Sequence, residues 1–160
     1  FNSEQVAGFL TIRCMLEGWA AGLTRGVQFY FRDNQANGGG IFQSSGLTNK
    51  SNGYKPFQMY YYMATARYAG KDLEFESRQV IGDMIKYVCK NKVTGKKAHI
   101  LWYFSKSNKK QNYSLSVDSN QVQEIRIVDN KQQGESNNKS VSGGKVNILV
   151  SEIPTFILEK

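Results

Sequence analysis

The chain has 160 residues, of which 40% are hydrophobic and 12% aromatic, and a formal net charge of +8. That suits one domain, or two small ones, with an ordinary packed core. No apolar run reaches the about 18 residues of a membrane span, and a single His with no clustered Cys makes a protein zinc site a poor reading. The opening FNSEQVAGF lacks the basic and apolar regions of a signal peptide and an initiator Met. Phe1 is therefore expected to be a boundary rather than the start of translation.

A first helix is predicted over residues 3–22. Val6, Phe9, Leu10, Met15, Leu16 and Trp19 recur at helical spacing. Asn2 or Ser3 can cap it, with Gln5 reaching back, and Gly22 stops it. Arg13 and Glu17 read as an i,i+4 pair on the outer side. Val27 to Phe31 reads as a strand, its odd positions apolar while Gln28, Tyr30 and Arg32 can hydrogen-bond on the other face. The glycine-rich loop after it (Asn37 to Gly40) is no phosphate site, because no Lys-Ser/Thr pair follows. A second helix is expected from Pro56 to Ala69, closed by Gly70. Its aromatics Phe57, Tyr60, Tyr61, Tyr62 and Tyr68 suit packing against a sheet better than stacking on sugar.

From Leu73 onward the pattern is β. Strands are predicted at Leu73–Arg78, Met84–Asn91, Ala98–Phe104, Tyr113–Val117, Gln123–Asp129, Lys145–Val150 and Thr155–Leu158. Short strands at this spacing, separated by turn residues, point to an antiparallel sandwich or barrel. Pro154 favours an edge or the start of a strand. The positive charge is local, with eight lysines and no acidic residue between Asp83 and Asp118. These lysines fall largely in turns and at strand ends, where they blunt sheet edges; a polyanion-binding face is the alternative. Cys14 and Cys89 read as buried free thiols, with a bridge between them as the alternative. Sequons at Asn49, Asn112 and Asn138 permit glycosylation on a eukaryotic secretory route.

The catalytic inventory is thin. No Ser-His-Asp set surrounds His99, so a carboxylate pair is the one economical chemistry, since sugar hydrolysis needs only two. Of Glu4, Glu17, Asp33, Asp72, Glu74 and Glu76, only Asp33 stands at the end of a barrel-like strand.

AGLTRGVQFYFRDN, a loop with Gly46-Leu47, and Tyr54-Lys55-Pro56 opening a YYYMATARYAG helix resemble the end of the catalytic barrel in retaining (β/α)8 glycoside hydrolases. The tail strengthens the likeness. Ile100-Leu101-Trp102, Ile127 to Gly134 and Ser151-Glu152-Ile153-Pro154-Thr155-Phe156-Ile157 are similar to recurring motifs of the β-sandwich that follows such barrels.

The resemblance implies an α+β chain: a terminal helix-strand-helix piece of a (β/α)8 barrel over residues 1–71, then an antiparallel β-sandwich over 72–160. Residues 3–22 would be the seventh barrel helix, 26–32 the eighth strand and 56–69 the eighth helix. Gln28, Tyr30 and Arg32 would face the lumen with Asp33 at the rim, as substrate-binding groups. The alternative is that Arg32 and Asp33 merely pair to close the barrel top. Gln28 stands near the place where the family often carries an aromatic sugar platform. Both catalytic Glu residues would precede Phe1, so this chain carries no catalytic residue and is expected to be inactive alone. Its partners would be a carbohydrate substrate and the remainder of the barrel, with no nucleic acid, cofactor or metal, in a secreted protein. The competing expectation is a non-catalytic carbohydrate-binding or adhesive module with Trp102 or Tyr103 as its contact.

Overall fold

The structure, a computed structural model, describes residues 3–23, 46–49, 51, 53–55, 57–105 and 107–160. The predicted strand Val27 to Phe31, the glycine-rich loop, Pro56 and the proposed cap at Asn2 lie outside the described residues.

Among the described residues, two helices come first: α1 (Ser3–Ala20) and α2 (Gln58–Thr65), which runs on as a π-helical turn, Ala66–Asp72. Gly22, at φ +86°, ends the α1 segment in the left-handed region where glycine is cheapest. Gly70 does not stop the second helix as expected. The backbone widens into the π turn instead, placing Tyr68 and Ala69 in the core. On α1, Phe9, Ile12, Arg13 and Leu16 are buried at the i, i+3, i+4, i+7 spacing of one helix face.

Eight strands follow: β1 (Leu73–Ile81), β2 (Met84–Asn91), β3 (Lys97–Tyr103), β4 (Lys110–Ser116), β5 (Gln121–Arg126), β6 (Glu135–Ser140), β7 (Lys145–Ser151) and β8 (Thr155–Glu159). They form a six-stranded sheet in the order β1-β2-β3-β8-β5-β6 and a two-stranded sheet β4-β7, with every pairing between strands antiparallel. Among the described residues the fold is thus α+β, two antiparallel sheets with two helices. Pro154 sits immediately before β8, where its missing N–H costs no ladder bond. Strand β6 was not anticipated, because ESNNKS has no apolar alternation; it lies at the sheet edge, almost wholly exposed.

The six-stranded sheet has a core on each face, set by strand alternation. Ile85, Tyr87, Cys89, Ala98, Ile100, Trp102 and Phe156 pack against Phe9, Ile12 and Leu16 of α1 and Tyr61 and Ala64 of α2. Met84, Leu101, Tyr103, Val122 and Ile157 pack against Leu115, Val146, Ile148 and Val150 of the small sheet. Edge-to-face aromatic contacts bridge helix and sheet: Trp19 meets Phe75 (5.7 Å between ring centres), Phe75 meets Tyr87 (5.3 Å) and Tyr87 meets Trp102 (4.9 Å).

Candidate functional site

The substrate-binding candidates Gln28, Tyr30, Arg32 and Asp33 lie outside the described residues. The remaining polar groups of interest come together where α1 meets the turn after β7.

Arg13 does not sit on the outer side of α1. The sandwich covers that side, leaving Arg13 buried, and Glu17 pairs with Arg78 of β1 instead (3.2 Å). The Arg13 Nε–H donates to the main-chain carbonyl of Glu152 at 2.9 Å, Nη2 donates to the same oxygen, and Nη1 donates to the Ser105 carbonyl at 3.4 Å. Its guanidinium lies 4.5 Å from the centre of the Phe9 ring. Burial lowers its pKa to about 10, against an opposing pull from Glu152, so it remains a cation at neutral pH.

The turn that receives it is the Ser151-Glu152-Ile153-Pro154 sequence. Ser151 Oγ accepts from the Ile153 N–H and donates to the Ile153 carbonyl. Glu152 is fully buried, and its Oε1 accepts the Lys109 N–H at 3.1 Å. The motif is therefore a docking turn: its backbone offers a carbonyl to α1 while its carboxylate holds the segment leading into β4.

Two more buried glutamates escaped the sequence reading. Glu159 accepts the Asp118 and Ser119 N–H groups on Oε2 (3.1 and 3.0 Å) and meets His99 Nε2 at 3.3 Å on Oε1. Burial lowers the His99 pKa, opposed by its hydrogen bond to Glu159 and reinforced by Lys86 and Lys97. His99 is thus neutral at neutral pH. Glu124 pairs with Arg126 (3.2 Å) and with Lys139 (3.1 Å); the Lys139 contact is an ion pair without hydrogen-bond alignment, since Glu124 Oε2 has no hydrogen-bond donor. Glu124, Glu152 and Glu159 belong to separate networks. Each has at least one carboxylate oxygen engaged in holding strands or turns.

Other expectations are corrected. Trp102 and Tyr103 point to opposite faces of β3, but both are buried, one in each core. Neither is available as a carbohydrate contact. Cys14 is exposed rather than buried and Cys89 is buried; both are free thiols. The lysines fall largely between strands and at strand ends as expected, with Lys86 and Lys90 inside the predicted strand β2, while Lys97 and Lys109 pair with Asp118 and Asp83 (2.7 and 2.6 Å). Of the second-helix aromatics, Tyr61 and Tyr68 are buried in the core and Phe57 packs against it, as expected, while Tyr60 and Tyr62 are half-buried. Among the described residues, no three His, Cys, Asp or Glu side chains gather as metal ligands would, and no helix is long and apolar enough to cross a membrane.

No known protein family matches the chain, and no curated relative does. Among solved structures it is similar to a GH30 endoxylanase from Clostridium papyrosolvens, with a TM-score of 0.49 and 8% sequence identity over 72% of this chain. The matched region spans 31% of that longer chain.

Proposed function

We propose that the chain is the carboxyl-terminal segment of a secreted (β/α)8 glycoside hydrolase, supplying the last barrel wall and a supporting β-sandwich. The parent would hydrolyse glycosidic bonds by the retaining mechanism, with both carboxylates before residue 1 and Gln28, Tyr30, Arg32 and Asp33 at the substrate rim.

The seam between α1 and the Ser151–Pro154 turn carries this reading. A sandwich that supports a barrel must be fixed to one of its helices, and here a buried guanidinium and a shared apolar core do the fixing. The Ser-Glu-x-Pro sequence that resembles the family motif is itself the turn that receives the helix. Among the described residues, the buried carboxylates Glu124, Glu152 and Glu159 each hold strands or turns, in keeping with a segment that holds an active site rather than forming one. Burial of Trp102 and Tyr103 weighs against the carbohydrate-binding module.

The test is to isolate the native protein with antibodies raised against residues 72–160. Its mass is then measured, and its action on xylan and β-glucans is followed by proton NMR of the first anomeric product. The expected result is a longer polypeptide that releases product with retained configuration. A native polypeptide no longer than this chain, or an inverted product, overturns the reading.

A further inference from the structure

The three Asn-x-Ser sequences differ in what surrounds the asparagine. Asn49 is exposed, but its Oδ1 accepts the Ser51 N–H at 3.0 Å and the Gly53 N–H at 2.8 Å. A sugar joined to Nδ2 makes a secondary amide, whose trans form puts the sugar carbon on the side of the oxygen. That side is filled by the two N–H groups, and even a Cβ on Gly53 would come within 2.8 Å of Nδ2. Asn138 is exposed on the edge strand β6, and its side chain makes no hydrogen bond among the described residues. Its partner across the ladder is Gln123, already bonded to Ser136 (2.5 Å), so a sugar there would lie over polar groups.

Asn112 combines freedom with an apolar neighbour. It is exposed on β4, makes no hydrogen bond among the described residues, and shares its outer face with the exposed Ser114 of its own sequon. Leu115, Ile148 and Val150 point the other way, into the core. Directly across from Asn112, on β7, stands Leu149, 38% exposed. The neighbouring pairs on that face, Lys110 with Ser151, Ser114 with Asn147 and Ser116 with Lys145, are polar. Cβ atoms of such cross-strand partners lie about 4.5–5.5 Å apart, so a group on Asn112 Nδ2 is well placed to cover the leucine.

We propose that Asn112 carries an N-linked glycan whose first hexosamine rests its C–H face on Leu149. In the transfer, Asn112 Nδ2 attacks the anomeric carbon of an oligosaccharide carried on a polyprenyl diphosphate. The N–C bond forms and the C–O bond to the diphosphate breaks; the lipid diphosphate leaves with the bonding pair, and Nδ2 gives up one proton. Donor and transferase belong to the eukaryotic secretory route, so the assignment rests on the secreted character proposed above and not on hydrolysis. The glycan removes an apolar side chain from water and shields β4, which has no strand partner but β7.

Peptide N-glycosidase in heavy-oxygen water converts a glycosylated Asn to a labelled Asp. Native protein captured with antibodies against residues 72–160, digested this way and compared with a mock digest, should carry the label at Asn112. An unlabelled Asn112 overturns the assignment. The chain secreted from a eukaryotic host supplies the second readout. Removing the glycan under native conditions should lower the unfolding temperature by about 2–4 °C, the scale of one modest contact in a chain of this size. The loss should vanish in Leu149→Ser and persist in Asn138→Gln. No loss in the unsubstituted chain, or a loss that survives Leu149→Ser, overturns the contact. Retaining hydrolysis by a protein bare at Asn112 removes the glycan and keeps the proposed function; a labelled Asn112 on a protein without hydrolase activity does the reverse.

Discussion

Arg13 and Glu152, 139 positions apart in the chain, are joined by a buried guanidinium-to-carbonyl hydrogen bond of 2.9 Å. The bond ties a helix from one end of the sequence to a turn near the other. Arg13→Met keeps an apolar stem against Phe9 and removes the charged donors. It should cost about 1.5–3 kcal/mol, the range for hydrogen bonds to a charged group. Urea unfolding reads this as a lower midpoint at unchanged slope; an unmoved midpoint would show that the seam is held by apolar packing alone.

His99 predicts a pH dependence. Its pKa is lowered in the folded chain, chiefly by burial, so below the ordinary value of about 6.5 the unfolded chain takes up the proton first. Stability from this group is therefore complete above about pH 6.5 and declines as pH falls from there toward the lower folded value. Because the chain has 1 His, His99→Gln isolates the effect. The difference in unfolding free energy between parent and variant should change between pH 7 and pH 5, and a constant difference would contradict the buried neutral imidazole.

Two glycines separate conformational from steric demand. Gly82 and Gly134 both have positive φ (+61° and +66°), but a Cβ at Gly82 meets open space while one at Gly134 would overlap the Arg126 carbonyl. Gly82→Ala should cost about 1–2 kcal/mol, the left-handed penalty. Gly134→Ala adds the cost of moving the β5 backbone and should exceed about 3 kcal/mol. Equal losses in thermal unfolding would contradict the tight approach of the β5–β6 turn to β5.

The thiols should differ in reactivity. Cys14 is exposed, whereas Cys89 is buried with its pKa pushed up to about 12, mainly by burial with Glu76 adding to it. A thiolate is the reactive form. Alkylation of the native chain, read by mass, should add one group rapidly, and denaturation should expose the second. Two rapid additions would mean that β2 opens at its Cys89 end.

Local chemistry made much of this legible. The bounds of β2 follow from strict alternation, Ile85, Tyr87 and Cys89 against Lys86, Val88 and Lys90. Strand β6 was illegible because an edge strand with both faces wet needs no apolar residue. Arg13 lies four residues from Phe9 and three from Leu16, on the buried stripe; reading charge before position put it on the wrong side. Glu124 and Glu159 stood at buried positions of alternating strands, Glu124 two residues after Val122 and Glu159 two after Ile157. That periodicity was the available signal, and the assumption that acids face water concealed it.

Strand β8 lies between β3 and β5 in the centre of the six-stranded sheet, although it is the last strand in chain order. Until Thr155–Glu159 emerge during synthesis, the β1-β2-β3 meander and the β5-β6 hairpin have no shared neighbour, and the turn that Arg13 grips has not formed. Folding must therefore close its longest loops last, a topology that slows acquisition of the native state and leaves two half-sheets with open edges in the meantime. Removing the final strand would not trim the molecule. It would divide it.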